Sequence, residues 1–218
     1  MKGSLFDAFL DLVYPPFHPC PHCRKSGVPI EGEETALCAR CFYAFPFLTA
    51  EERPEGVESL AHYRQSAQSL VHRLKYKEGL YLARPMAKLM VKKLDLHHHD
   101  LVIPVPMHRR RQKQRGYNQA DLLARQIASM EELEYESTVL TRIRETAPMY
   151  QLNRLQRIQN MWDSIVVRED CLHRVQNQKI LLVDDIYTTG ATTQACIRQL
   201  TEAGAAEVTV ATFAVADA

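Results

Sequence analysis

No apolar run in this chain approaches the roughly 20 residues that a membrane helix needs, so the sequence predicts no membrane span. A charge excess is also lacking. Lys and Arg number 27 against 26 Asp and Glu, and the net charge of +1 excludes bulk attraction to polyanions. Any nucleic-acid affinity must then come from a local patch. An export signal is missing too: residues 5–13 are apolar but carry Asp7 and Asp11, follow the single cation Lys2 and stop at Pro15 and Pro16. They read as a short amphipathic helix, and the expected compartment is the cytoplasm. No internal repeat occurs, and the only low-complexity tract is His97, His98 and His99, read as a solvated turn before a strand. The absence of a GxxxxGK[ST] pattern excludes a mononucleotide kinase loop.

What is present is a balanced globular composition, 46% hydrophobic and 24% charged over 218 residues, enough for one α/β domain and a small appendage. Residues 15–55 are rich in Pro, Cys and Gly and lack sustained periodicity, which suggests a module ordered by something other than a core. The division expected is an N-terminal module over residues 1–55 and a larger domain over 56–218. Leu82, Met86, Leu89, Met90 and Leu94 recur at helical spacing, and residues 101–105 form a short β-branched run closed by prolines. Asn118 and Asp121 mark the start of a helix carrying Leu122, Leu123, Ile127 and Met130. Residues 137–143 and 164–167 read as strands, and 179–183 as a buried parallel strand. A helix with Ala195, Cys196 and Leu200 inward stops at Gly204, before a last strand over 208–215. This alternation predicts an α/β fold with a doubly wound, mostly parallel sheet.

The chemistry concentrates in residues 180–192, ILLVDDIYTTGAT. A buried strand delivers Asp184 and Asp185 to the crevice beyond the strand ends, where ligands of such sheets sit. Adjacent carboxylates accept hydrogen bonds from a ribose diol. The following Thr188, Thr189, Gly190, Ala191 and Thr192 offer amides and hydroxyls at a helix N-terminus, where a phosphate is favoured. The alternative, a polar turn whose aspartates merely cap the next helix, explains less of this order.

A second anion site is indicated by Arg109, Arg110, Arg111, Lys113 and Arg115, which directly follow a strand. Arg115 and Gly116 suit a pyrophosphate, because Gly allows close backbone approach and Arg pairs two phosphate oxygens. Arg109, Arg110, Arg111 and Lys113 remain either as a solvated face or as contacts to another polyanion.

Cys20, Cys23, Cys38 and Cys41 have the spacing C-x2-C-x14-C-x2-C, which predicts a closed tetrahedral zinc site with a structural role. Two disulfides are the lesser alternative. Cys171 and Cys196 read as reduced packing thiols.

The strand, paired acids, loop and helix of residues 180–192 resemble the PRPP motif of type I phosphoribosyltransferases. That likeness implies Asp184 and Asp185 at the ribose hydroxyls of phosphoribosyl pyrophosphate (PRPP) held with Mg²⁺, and residues 188–192 around its 5′-phosphate. Together with Leu74, Lys75 and Tyr76, the proline-flanked strand, the RRR and RGYNQA segments and the four cysteines, the chain resembles the ComF/GntX family over nearly its whole length. This implies a type I phosphoribosyltransferase-like fold with a zinc module, a role in DNA uptake during natural transformation, contact with single-stranded DNA and a helicase-like ATPase partner. It also makes the polar stretch from Arg142 to Asn160 a candidate flap, although Met149 stands where the family pattern has Gln. Catalytic residues are not assigned. No base-binding element is recognisable after the last strand, so a salvage phosphoribosyltransferase and a PRPP sensor stand as alternatives to the DNA-uptake factor. Residues 63–77 are amphipathic and read as core or lid.

Overall fold

The computed structural model describes residues 20–25, 37–143 and 164–216. Its strands are β1 (Val57–His62), β2 (Leu101–Pro104), β3 (Glu134–Tyr135), β4 (Leu140–Arg142), β5 (Ile165–Val167), β6 (Lys179–Tyr187) and β7 (Glu207–Val215). The described helices are α1 (Ala39–Tyr43), α2 (Gln65–Leu74), α3 (Ala83–Lys93), α4 (Arg109–Arg115), α5 (Gln119–Glu131), α6 (Leu172–Val175) and α7 (Ala191–Glu202). Five strands pair in the order β1-β7-β6-β2-β3, all parallel, and β4 and β5 form a separate antiparallel pair. None of the described helices is long and apolar enough to cross a membrane.

Strand alternation divides the core into two layers. Val102, Leu181, Val183, Ala211 and Phe213 face the layer that holds residues of α2, α3 and α5. Leu101, Ile103, Ile180, Leu182 and Val210 face the layer that holds α7 and the β4–β5 pair. Burial on both faces is why β6 reads as a continuous apolar run instead of an alternating one.

The chain leaves β6 through α7 toward β7, and leaves β2 through α4 and α5 toward β3. The connections diverge between β6 and β2, so the crevice at the carboxyl ends of these two strands is the sheet's switch point. Prolines open it. Pairing of β2 with β6 reaches Pro104 opposite Val183, and the Val105 amide donates to the Val183 carbonyl at 2.8 Å. Pro106 has no amide to continue the ladder. On the other side β7 follows β6 as far as Tyr187 opposite Val215. The strand expected over 179–183 therefore runs four residues further, and Asp184 and Asp185 lie inside it, paired on one edge only.

The cysteine-bearing segment is joined to this core. Leu37, Phe42 and Phe45 are buried in the α2–α3 layer, and Phe45 packs edge-on against Phe213 with ring centroids 5.9 Å apart. Phe47 bridges Ala61 in antiparallel fashion, and Leu48 donates to the Leu60 carbonyl at 3.0 Å, so the outer edge of β1 is covered. Order without a core, expected for residues 15–55, is corrected here by aromatic anchoring. Segments 137–143 and 164–167 do contain strands, but these pair with each other outside the main sheet. The amphipathic helix expected over 5–13 and residues 144–160 of the candidate flap lie outside the described residues.

Candidate functional site

Because side chains alternate along β6, its two acids separate onto opposite sides of the sheet. Asp184 shares the side of Leu182, toward α7 and β4, while Asp185 shares the side of Val183, toward α2. An Asp184 carboxylate oxygen accepts from the Asp185 amide at 2.8 Å, which fixes its orientation. Burial and the neighbouring Asp185 push the ionisation of Asp184 well up, with Arg142 partly opposing them. For Asp185 burial also acts upward, and the charges of Lys75 and Arg115 oppose it. The Arg142 guanidinium is itself pushed down by burial and by Arg111, with Asp184 acting the other way. The acids are thus flanked by Lys75 and Arg115 on one side and Arg142 on the other.

Asp184 and Asp185, at the open end of β6 and both pushed up by burial, are hard oxygen donors of the kind a dication takes. Mg²⁺ prefers such oxygens, and its charge would offset both the burial and the mutual repulsion. Asp184 and Asp185 are the residues that would hold it.

Beyond Tyr187 the chain turns sharply into α7. Gly190 has φ +73°, and a Cβ there would lie 2.3 Å from the Tyr187 hydroxyl, so both backbone angle and ring packing require glycine. The Gly190 carbonyl accepts from the Thr193 hydroxyl and the Gln194 amide, each at 2.8 Å. Thr189 Oγ1 accepts from the Ala191 amide at 3.5 Å. Thr188 and Thr189 are exposed, Gly190 is buried, and Ala191 and Thr192 are half-buried at the first turn of α7. That turn presents amides without intrahelical acceptors, which is the arrangement that favours an oxyanion.

The basic segment folds as α4. His108 Nδ1 accepts from the Arg110 amide at 3.3 Å at its start, and Gly116, with φ +92°, ends it. Arg109, Arg110, Arg111 and Lys113 are exposed, whereas Arg115 is half-buried and acts on Asp185. Next along the chain, the Tyr117 hydroxyl donates to the Leu74 carbonyl at 2.8 Å, tying this loop to the end of α2. Asn118 both donates to the Val105 carbonyl at 2.9 Å and accepts from the Ala120 amide at 3.2 Å, which links the end of β2 to the cap of α5. Of the five cations adjacent in sequence, Arg115 is half-buried and acts on Asp185, while the other four are exposed, Arg111 among them acting on Arg142.

Lys75 and Arg142 are site residues that sequence reasoning did not assign. Lys75 lies in the LKY triplet, and nothing local shows that the end of α2 meets β6. Arg142 stands on β4, next to residues 144–163, which are outside the described set.

The four cysteines converge. Sγ atoms of Cys20, Cys23, Cys38 and Cys41 all lie within 4.8 Å of one another, with Cys23 and Cys38 at 3.8 Å. Tetrahedral zinc with Zn–S bonds of about 2.3 Å places its sulfurs about 3.8 Å apart. The set therefore fits Zn²⁺, with no position left for substrate. Burial raises the Cys20 thiol, but hydrogen bonds from the Cys23, Cys38 and His22 amides outweigh it and bring the group to about 7, favouring thiolate. A cavity of about 600 Å³ beside the cluster is lined in part by Lys25 and Arg40, cations that would offset the net negative charge of four thiolates around a dication. Asp95, His97 and His98 also approach one another closely, in an exposed turn. Cys171 and Cys196 are buried free thiols.

The Phosphoribosyl transferase domain family model matches residues 77–218. Among curated proteins, the chain is 29% identical to DNA utilization protein YhgH of Salmonella typhi, over 88% of this chain and 81% of that protein. It is 26% identical to Competence protein F of Haemophilus influenzae, over 88% of this chain and 94% of that one. With Competence protein ComFC of Streptococcus pneumoniae it shares 25% identity, over 87% of this chain and 77% of the relative.

Proposed function

Because the chain belongs to the phosphoribosyl transferase domain family, in its ComF branch, we propose that it binds PRPP with Mg²⁺ between β6 and β2 and acts in DNA uptake. The observation that carries this reading is the acidic pair at the head of β6, with opposing cations and a phosphate-type turn on the same strand. Asp184 and Asp185 take the ribose hydroxyls. Thr188, Thr189, Gly190, Ala191 and Thr192 take the 5′-phosphate at the start of α7. Arg115 and Gly116 take the pyrophosphate, and Lys75, on the same side as Arg115, adds a further cation. Mg²⁺, when bound with PRPP, supplies the charge that lets the two acids ionise together.

The names of the relatives support the pathway: two are competence proteins and one is a DNA utilization protein. The exposed Arg109, Arg110, Arg111 and Lys113 on α4 serve single-stranded DNA, a sugar-phosphate strand being the polyanion such a surface attracts. A competence ATPase of the helicase type is the protein partner of this reading, and the cytoplasm its compartment. One observation favours catalysis as a second reading. Lys75 and Arg115 lie where they would stabilise a departing pyrophosphate, the charge that develops during phosphoribosyl transfer. A salvage enzyme would use the same pocket.

Calorimetric titration of the purified chain with Mg²⁺ and PRPP tests the ligand, and an assay of pyrophosphate release with a panel of bases separates binder from enzyme. Saturable, Mg²⁺-dependent binding without release supports the DNA-uptake reading. Release with one base supports the salvage enzyme, and no binding at all overturns both.

A further inference from the structure

The α2 helix and the turn after it connect the cysteine cluster to the acidic pair. Arg73, near the end of α2, makes two contacts that converge on this connection. Its guanidinium donates to the carbonyl of Pro21, which lies between Cys20 and Cys23 in the first cysteine turn, and to the hydroxyl of Tyr81. The guanidinium carbon also lies 5.8 Å from the centroid of the Tyr81 ring. On the backbone side, the Arg73 carbonyl accepts from the Tyr76 amide at 3.0 Å. A Cβ at Gly79 would come within 2.0 Å of that carbonyl, so the returning chain presses directly on it. The turn after α2 is tightly packed against the Arg73 backbone, and the Arg73 side chain ties it to the first cysteine turn, beside the apolar packing of Leu37 and Phe42.

Two members of that turn reach the candidate ligand site. Lys75 faces Asp185. The Leu74 carbonyl holds the Tyr117 hydroxyl at 2.8 Å, and Tyr117 stands two residues after Arg115 in the loop that closes α4. Both cations on the Asp185 side therefore depend on where residues 74 and 75 sit.

We propose that Arg73 is a positioning residue that couples the cysteine module to the pyrophosphate side of the PRPP site, setting Lys75 through the turn they share and Arg115 through Leu74 and Tyr117. The module then does more than cover the edge of β1: its first cysteine turn is the fixed point against which the cationic side of the ligand site is set. This inference rests on the PRPP reading above, and it predicts a split between ligands that reach the pyrophosphate side and ligands that do not.

The test compares Mg²⁺ with PRPP, Mg²⁺ with inorganic pyrophosphate, and ribose 5-phosphate as calorimetric ligands of the full chain and of Arg73→Met, with zinc content measured alongside. Expected are losses of about tenfold, or ~1.4 kcal/mol, for PRPP and pyrophosphate, with ribose 5-phosphate unchanged and zinc retained. Tyr117→Phe, which removes the Leu74 bond without touching the module, should give a smaller loss of the same selective kind. A parallel loss for all three ligands would mean that Arg73 only supports the fold, and no loss for any would mean that the turn holds itself; either overturns the coupling. Should Arg73→Met shed zinc, Tyr81→Phe, which removes the hydroxyl that Arg73 also holds, takes its place, with the same selective loss expected and a parallel loss or none overturning the coupling. Failure of the unmodified chain to bind PRPP is a different outcome, which removes the PRPP reading itself.

Discussion

The cysteine cluster and the acidic pair are both built to attract a cation, and they solve the electrostatics in opposite ways. In the cluster, four soft donors stand at zinc-like separations, with Lys25 and Arg40 lining the cavity beside them, and the four would supply every ligand of a tetrahedral ion. At the head of β6, two hard donors on adjacent residues take opposite sides of a paired strand, both pushed up by burial, and the prolines after β2 leave one edge open. A closed site can only stabilise, whereas an open and frustrated one has capacity left for a ligand. What differs is how many positions the fold leaves for something other than protein.

The largest expected effect falls on the closed site. Removing zinc with a chelator, or replacing Cys38 by Ser, should abolish one zinc per chain and lower Tm by about 10 °C or more, since such sites carry much of the folding energy of small modules. Apolar anchoring through Phe42 and Phe45 should keep the parallel sheet folded, so far-UV circular dichroism changes less than Tm does. Unchanged Tm on metal removal would erase the contrast.

On the open site the signs invert. Both acids have folded-state ionisation above their unfolded value, so the native state holds protons that the unfolded chain has lost. Stability is therefore greatest where they are protonated and falls as pH rises from the ordinary carboxylate range through their raised values. Replacing Asp184 and Asp185 together by Asn should weaken Mg²⁺-dependent PRPP binding by about 100-fold, yet raise the ligand-free Tm at pH 7.5 by roughly 2–4 °C for each kcal/mol of relieved repulsion. A fall in Tm, seen by calorimetry, would show the pair to be stabilising.

A smaller effect separates the cations. Lys75→Ala should cost about tenfold in PRPP affinity, whereas replacing Arg109, Arg110 and Lys113 by Ala should leave PRPP binding alone. The triple change should instead reduce the slope of log affinity against log salt for single-stranded DNA by about 2, at roughly 0.7 per phosphate contact. Equal effects on both ligands would merge the two surfaces. The smallest effect is on pH: taking calorimetry from pH 7.5 to 5.5 should weaken PRPP binding severalfold, because protons compete for the raised acids.

Local patterns were legible in the sequence, and long-range meetings were not. Helical spacing located α3, α5 and α7 closely, and the four cysteines announced their cluster because metal ligands must come in a set spacing. Strand β6 was found but shortened: Asp184 and Asp185 break an apolar pattern, whereas the ladder with β7 ignores side-chain polarity. Strand β1, with Glu58, Ser59 and His62 among its residues, lacks a clean alternation, and the Ser59–Thr212 hydroxyl pair at 3.0 Å that satisfies its buried polar group comes from a strand far along the chain. The aromatic anchors Phe42 and Phe45 read as loop residues until Phe213 is placed beside them. Lys75 is marked only as part of the family pattern at residues 74–76 and Arg142 only as the start of the candidate flap, neither with a role beside the acids. Each earns its place only because the fold carries α2 and β4 to the two sides of one strand.

The most direct measurement is a paired calorimetric experiment on the unmodified chain and on the variant with Asp184→Asn and Asp185→Asn: titration with PRPP in Mg²⁺, and thermal unfolding without either ligand. The prediction is lost binding together with a raised Tm and unchanged zinc. Retained binding, or binding lost only together with a lowered Tm, would contradict a site whose strained acids await a cation-bound ligand.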